Sequence, residues 1–137
     1  MPGPKEWLIK ALSDLKMAKK GIKDDDDTLD GAAYHTHQCA EKALKAFLFF
    51  SKQPIKKVHD LELLVELCSA IDQNFKVLFD SVERLNPYAI YSRYPDDRFY
   101  IDRQEVEEAI EMAATVLNFV KKKIEEPQNP TLKLFDR

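Results

Sequence analysis

The sequence predicts an all-α fold, an antiparallel up-and-down bundle of about five helices. Three observations carry this. Apolar residues recur at helical spacing in five successive segments. Short connections join those segments, which makes neighbouring helices antiparallel. Charged residues make up 33% of the chain beside 45% apolar ones, the balance of a helix-rich soluble protein with salt-bridged faces. A length of 137 residues fits one domain with a real core. We divide it into a helical domain, 1–126, and a C-terminal tail, 127–137.

The first helix is expected from about Lys5 to Ile22, because Trp7, Leu8, Ala11, Leu12, Leu15, Ala18 and Ile22 fall at helical spacing. Gly21 is a candidate end signal. The run Asp24 to Asp27 invites a magnesium or calcium reading. Acidic groups just before a helix also favour the positive end of its dipole, with Thr28 or Asp27 as the cap.

The second helix is expected from about Thr28 to Ser51. Leu29, Ala33, Thr36, Ala40, Ala43, Leu44 and Phe47 form one stripe whose alanines admit a close neighbour. Tyr34, His35, Gln38, Lys42, Lys45 and Phe49 lie opposite, bordered by Glu41. That side is polar yet carries two aromatic rings. Pro54 ends this region, and Lys52, Lys56 and Lys57 make a basic connection. His59 and Asp60 open a third helix through about Asp72, with Leu61, Leu64, Val65, Cys68 and Ile71 inward. A fourth carries Phe75, Leu78, Phe79, Val82 and Leu85 and stops at Asn86-Pro87.

Residues 86–101 form the distinctive loop. Tyr88, Tyr91, Tyr94 and Tyr100 are interleaved with Arg93 and Arg98, with room for a helical turn at Tyr88 to Tyr91. The fifth helix, about Asp102 to Glu125, carries two apolar rows. Val106, Ile110, Ala113, Leu117, Val120 and Ile124 make one; Ala109, Met112, Val116 and Phe119 make the other. Two rows suggest a helix buried on two sides, in the core and against a second copy, so a homodimer is expected. The competing explanation is a helix buried wholly within the monomer. Pro127 and Pro130 then release a tail containing Leu132, Leu134 and Phe135.

Several function classes are excluded or unsupported. A net charge of −3 carries no argument for nucleic acid. Cys39 and Cys68 sit in apolar helical patterns and read as reduced, buried thiols, so a cytoplasmic location is expected. No Cys-x-x-Cys or paired Cys/His spacing supports zinc, and no apolar run is long enough to span a bilayer. Three scattered glycines form no nucleotide-binding fingerprint. No metal or cofactor is expected.

Candidate site residues remain. Arg93 and Arg98 have the chemistry to grip phosphate, and Tyr91 or Tyr94 to stack on a base. Lys42 and Lys45 add positive potential, and Tyr34 and Gln38 share their side of the helix. The structural alternative is that Arg93 pairs with Asp96 or Glu41 and pins the loop to the bundle. His37 and Glu41, one turn apart, are placed to share a hydrogen bond. His35 lies beside Lys42, a neighbour that disfavours its protonation. His59 is either a structural residue at a helix start or, if it meets Arg93 or Arg98, an acid–base group.

Three segments together resemble the HEPN family, named for higher eukaryotes, prokaryotes and nucleotide binding. They are His37-Gln38-Cys39-Ala40-Glu41-Lys42-Ala43-Leu44-Lys45-Ala46, His59-Asp60-Leu61 and Arg93-Tyr94-Pro95-Asp96. The resemblance covers about residues 5–125. It implies a helical bundle that pairs through its helices, often beside a minimal nucleotidyltransferase in a toxin–antitoxin pair. Some members of the family are metal-independent ribonucleases and carry an arginine followed, after four to six residues, by a histidine. Here the arginines are Arg84, Arg93, Arg98, Arg103 and Arg137, and the histidines His35, His37 and His59, so none follows an arginine. The expectation is a non-enzymatic module that binds a nucleotide or a nucleotidyltransferase partner through the 34–45 face and the 91–98 loop. The alternative is a divergent ribonuclease using His59 and loop arginines.

Overall fold

Helix α2 (Leu29–Phe50) is the axis of the bundle. Its closest neighbours are α1 (Pro4–Gly21) and α6 (Arg103–Glu125), while α3 (Leu61–Ile71), α4 (Phe79–Leu85) and α5 (Tyr88–Tyr91) also pack on it. The computed structural model describes residues 3–23, 28–54, 57–91 and 101–126. Expectations for Asp24 to Asp27, Lys56, Arg93, Tyr94, Pro95, Asp96, Arg98, Tyr100 and the tail from Pro127 fall outside them. Among the described residues the secondary structure is helical, and no helix is long and apolar enough to cross a membrane.

The small residues of α2 explain its central place. Ala32, Ala33, Ala40, Ala43 and Ala46 are all buried, so helix backbones approach closely around it. The apolar stripe is inward as expected, but burial extends much further round the helix. His37, Glu41 and Lys45 are buried too. Of the side expected to be polar, Lys45 and the bordering Glu41 are interior, while Tyr34, His35, Gln38, Lys42 and Phe49 are half-buried.

Helix α6 starts with a capping box: Asp102 accepts from Glu105 N at 2.8 Å and Glu105 reaches back to Asp102 N at 3.4 Å. Both of its apolar rows face the chain's own core. Ala109 and Val116 are buried, and the Phe119 ring meets Phe75 edge-on at 4.9 Å. Within the second row Ala109 and Val116 are thus interior, while Met112 and Phe119 pack on the core and stay partly exposed.

Three local details differ from expectation. The fourth helical segment is split into a 3-10 stretch, Gln73–Leu78, and α4. With three residues per turn, Phe75 and Leu78 point the same way, and both are buried. Gly21 is not a left-handed stop, since no glycine has positive φ. It instead lets the end of α1 meet α2: an added Cβ would lie 3.0 Å from Ala32 Cβ. Thr28 holds the N-cap position of α2 without a capping side-chain bond, and its hydroxyl donates to Gly21 O. Among the described residues the left-handed one is Lys52, at φ 61°. It closes α2 in a Schellman motif, with Gln53 N bonded to Leu48 O and Lys52 N to Phe49 O, both at 2.9 Å.

Candidate functional site

Two buried carboxylates organise the polar groups of α2. Asp14 lies in the inward stripe of α1, among Ala11, Leu15 and Ala18. A lone charge there demands partners, and α2 provides two. Lys42 Nζ donates to Asp14 Oδ2 at 2.6 Å, and His35 Nδ1 stands 2.7 Å from Oδ1. Both carboxylate oxygens are thereby satisfied. Tyr34 contacts the His35 ring edge-on at 5.7 Å. His35 and Lys42 are neighbours, as expected, but both are turned to the same acidic group.

The second carboxylate belongs to Glu41. Lys45, one turn on, donates to Glu41 Oε2 at 2.8 Å, and both side chains are more than nine-tenths buried. His59 arrives from the turn before α3 with Nδ1 3.1 and 3.2 Å from the two Glu41 oxygens. The His59 side chain is 67% exposed, so a buried pair holds an open imidazole. His37 does not make the expected hydrogen bond to Glu41, since its Nδ1 lies 3.9 Å away. Its Nε2 donates instead to the backbone carbonyl of His59 at 3.0 Å. Gln38 Nε2 approaches His37 Nδ1 at 3.4 Å. Burial pushes the His37 pKa below the ordinary histidine range, against the pull of the nearby Glu41 charge.

Asn86 locks the adjoining turn. Its amide donates to Asp60 Oδ1 and its carbonyl accepts from Leu61 N, both at 2.9 Å. Asp60 is the N-cap of α3, accepting from Glu62 N at 3.0 Å. These bonds, the Asn86 amide foremost, hold its carboxyl below the usual range.

The two clusters divide the residues singled out in the sequence. Tyr34, Gln38 and Lys42 are partly exposed, Lys45 is enclosed with its ammonium on Glu41, and His59 is open. Tyr91 ends α5 beside α2, while its side chain and Arg93, Tyr94 and Arg98 are outside the described residues. Sequence reading missed Asp14 and Asn86. Asp14 left a signal, a charged residue inside an otherwise apolar stripe; Asn86 was hidden as a helix stop. Cys39 and Cys68 are free and buried, and burial raises both thiols to about 12, which makes them poor nucleophiles. Among the described residues no group of three or more His, Cys, Asp or Glu side chains is placed to hold a metal ion.

Comparison with known proteins gives this arrangement a family. The chain matches the HEPN domain over residues 4–123. It is similar in structure to ST0689, an archaeal HEPN homologue, with a TM-score of 0.74 and 24% identity over 91% of this chain and 100% of that one. It is equally similar to TT1696 from Thermus thermophilus, with a TM-score of 0.74 and 28% identity over 90% of this chain and 99% of that one. No curated protein matches. With the family match spanning nearly the whole helical region, the chain belongs to the HEPN domain family.

Proposed function

We propose that this chain is a non-enzymatic module that binds a nucleotide between the Tyr34, Gln38 and Lys42 side of α2 and the 91–98 segment. The observation that supports it is the packing of α5 on α2, which starts the arginine- and tyrosine-rich segment beside the helix that carries both charge clusters. Arg93 and Arg98 then take phosphate, and Tyr91 or Tyr94 the base. A minimal nucleotidyltransferase is the protein partner the family suggests, with the two as halves of a toxin–antitoxin pair. Self-association belongs to the same reading, and the exposed Ile9 and Leu12 of α1 offer an apolar face for it. Light scattering across concentrations tests that part.

Calorimetric titration with ATP and GTP, with and without magnesium, tests the nucleotide. Saturable heat that Arg93→Ala removes supports the site; no heat at high ligand concentration refutes it and shifts the reading to a protein partner.

One observation favours a second reading. A carboxylate holding an open imidazole, as Glu41 holds His59, is the arrangement of a general base. A divergent metal-independent ribonuclease would use it with a loop arginine. RNA cleavage that survives His59→Ala in a folded protein rules this out.

A further inference from the structure

An open histidine in a turn needs no support to be stable, yet His59 is held at two points by buried groups of α2. Glu41 holds its ring, and His37 holds its backbone carbonyl. Glu41 in turn requires the buried Lys45 as counter-charge. Replacing a buried ion pair by apolar residues is often neutral or stabilising, so stability does not account for the arrangement. What it achieves is orientation.

The direction of each bond follows from the atoms. An ionised carboxylate only accepts, so the His59 nitrogen facing Glu41, Nδ1, carries a proton. A backbone carbonyl only accepts, so His37 carries its proton on Nε2. In its neutral form His59 then keeps its lone pair on Nε2. That nitrogen is an acceptor and seeks a donor. Phosphate oxygens are acceptors themselves, and the Asp60 carboxylate next in the chain adds negative charge at this turn. A neutral hydroxyl fits both conditions.

We infer that Glu41, Lys45 and His37 are positioning residues that hold His59 as the Nδ1–H tautomer, so that Nε2 accepts a hydrogen bond from a ribose hydroxyl of the bound nucleotide. The ribose assignment rests on the nucleotide reading above; the tautomer assignment does not.

Long-range proton–nitrogen NMR of the full chain, above the histidine titration range, tests the first part. Wild type is expected to show the Nδ1–H pattern at His59. The double variant Glu41→Met/Lys45→Met, which exchanges the buried pair for apolar side chains, is expected to show the mixture of a free imidazole. An Nε2–H pattern in wild type, or an unchanged tautomer in the folded double variant, overturns the positioning role. Titration with ATP, 2′-deoxy-ATP and 3′-deoxy-ATP tests the second part. Loss of one ribose hydroxyl should weaken binding about five- to tenfold, and His59→Ala should bring ATP down to that level and erase the difference. ATP binding that ignores both deoxy analogues and His59→Ala overturns the ribose contact and leaves the nucleotide reading standing. No ATP binding at all overturns both.

Discussion

Glu41 Oε1 lies 3.1 Å from His59 Nδ1, which ties the middle of α2 to the turn that opens α3. Lys45 sits on the other oxygen at 2.8 Å, so one buried carboxylate serves two cations or potential cations. Removing only the acid strands the ammonium. Glu41→Ala should therefore cost about 3 kcal/mol in urea unfolding, and Lys45→Met in the same background should recover most of it. A double-mutant cycle measures the coupling. Additive losses would mean the pair carries no mutual stabilisation.

Asp14 links α1 to α2 through His35 and Lys42. Both partners are partly open to water, which screens the loss. Asp14→Ala is expected to lower stability by about 2 kcal/mol. Asp14→Asn should lose less, because the amide oxygen still accepts from Lys42. Chemical denaturation of the two variants checks the order.

His37 carries a pH dependence. Its folded pKa is depressed from 6.5, chiefly by burial, so below that pH the unfolded chain binds more protons than the folded one. Stability is fully present above the unfolded value and falls as pH drops through and below it, by at most about 1.4 kcal/mol per pH unit for one proton. His37→Gln, whose amide still donates to His59 O, should flatten this slope. Urea midpoints between neutral and mildly acid pH measure it.

Two backbone positions predict opposite signs. Lys52 adopts φ 61°, where a side chain is strained, so Lys52→Gly should stabilise by about 1 kcal/mol. Gly21→Ala gains helix propensity but sets a methyl against Ala32 and, at 3.3 Å, against the Thr28 carbonyl. The clash should win by about 1 kcal/mol. Thermal unfolding of each variant reads the sign directly.

By itself the sequence determined the helices, because each is specified by a pattern that the chain reads locally. The stripe from Leu29 to Phe47 is buried throughout, and so is the first apolar row of α6 from Val106 to Val120. Local cues also marked Asp60 as the start of α3 and Tyr88 to Tyr91 as a helical turn. Tertiary structure alone decided what the polar residues do. Periodicity ranks positions as inward or outward, but it cannot show which helix will cover a given side. Lys45 reads as a free cation and is enclosed; His37 reads as Glu41's partner and bonds His59 instead. Asp14 finds Lys42 only when α1 lies along α2, since those residues are 28 apart in sequence. A buried charge takes its meaning from the partner that neutralises it, and that partner is set by packing rather than by neighbours in the chain.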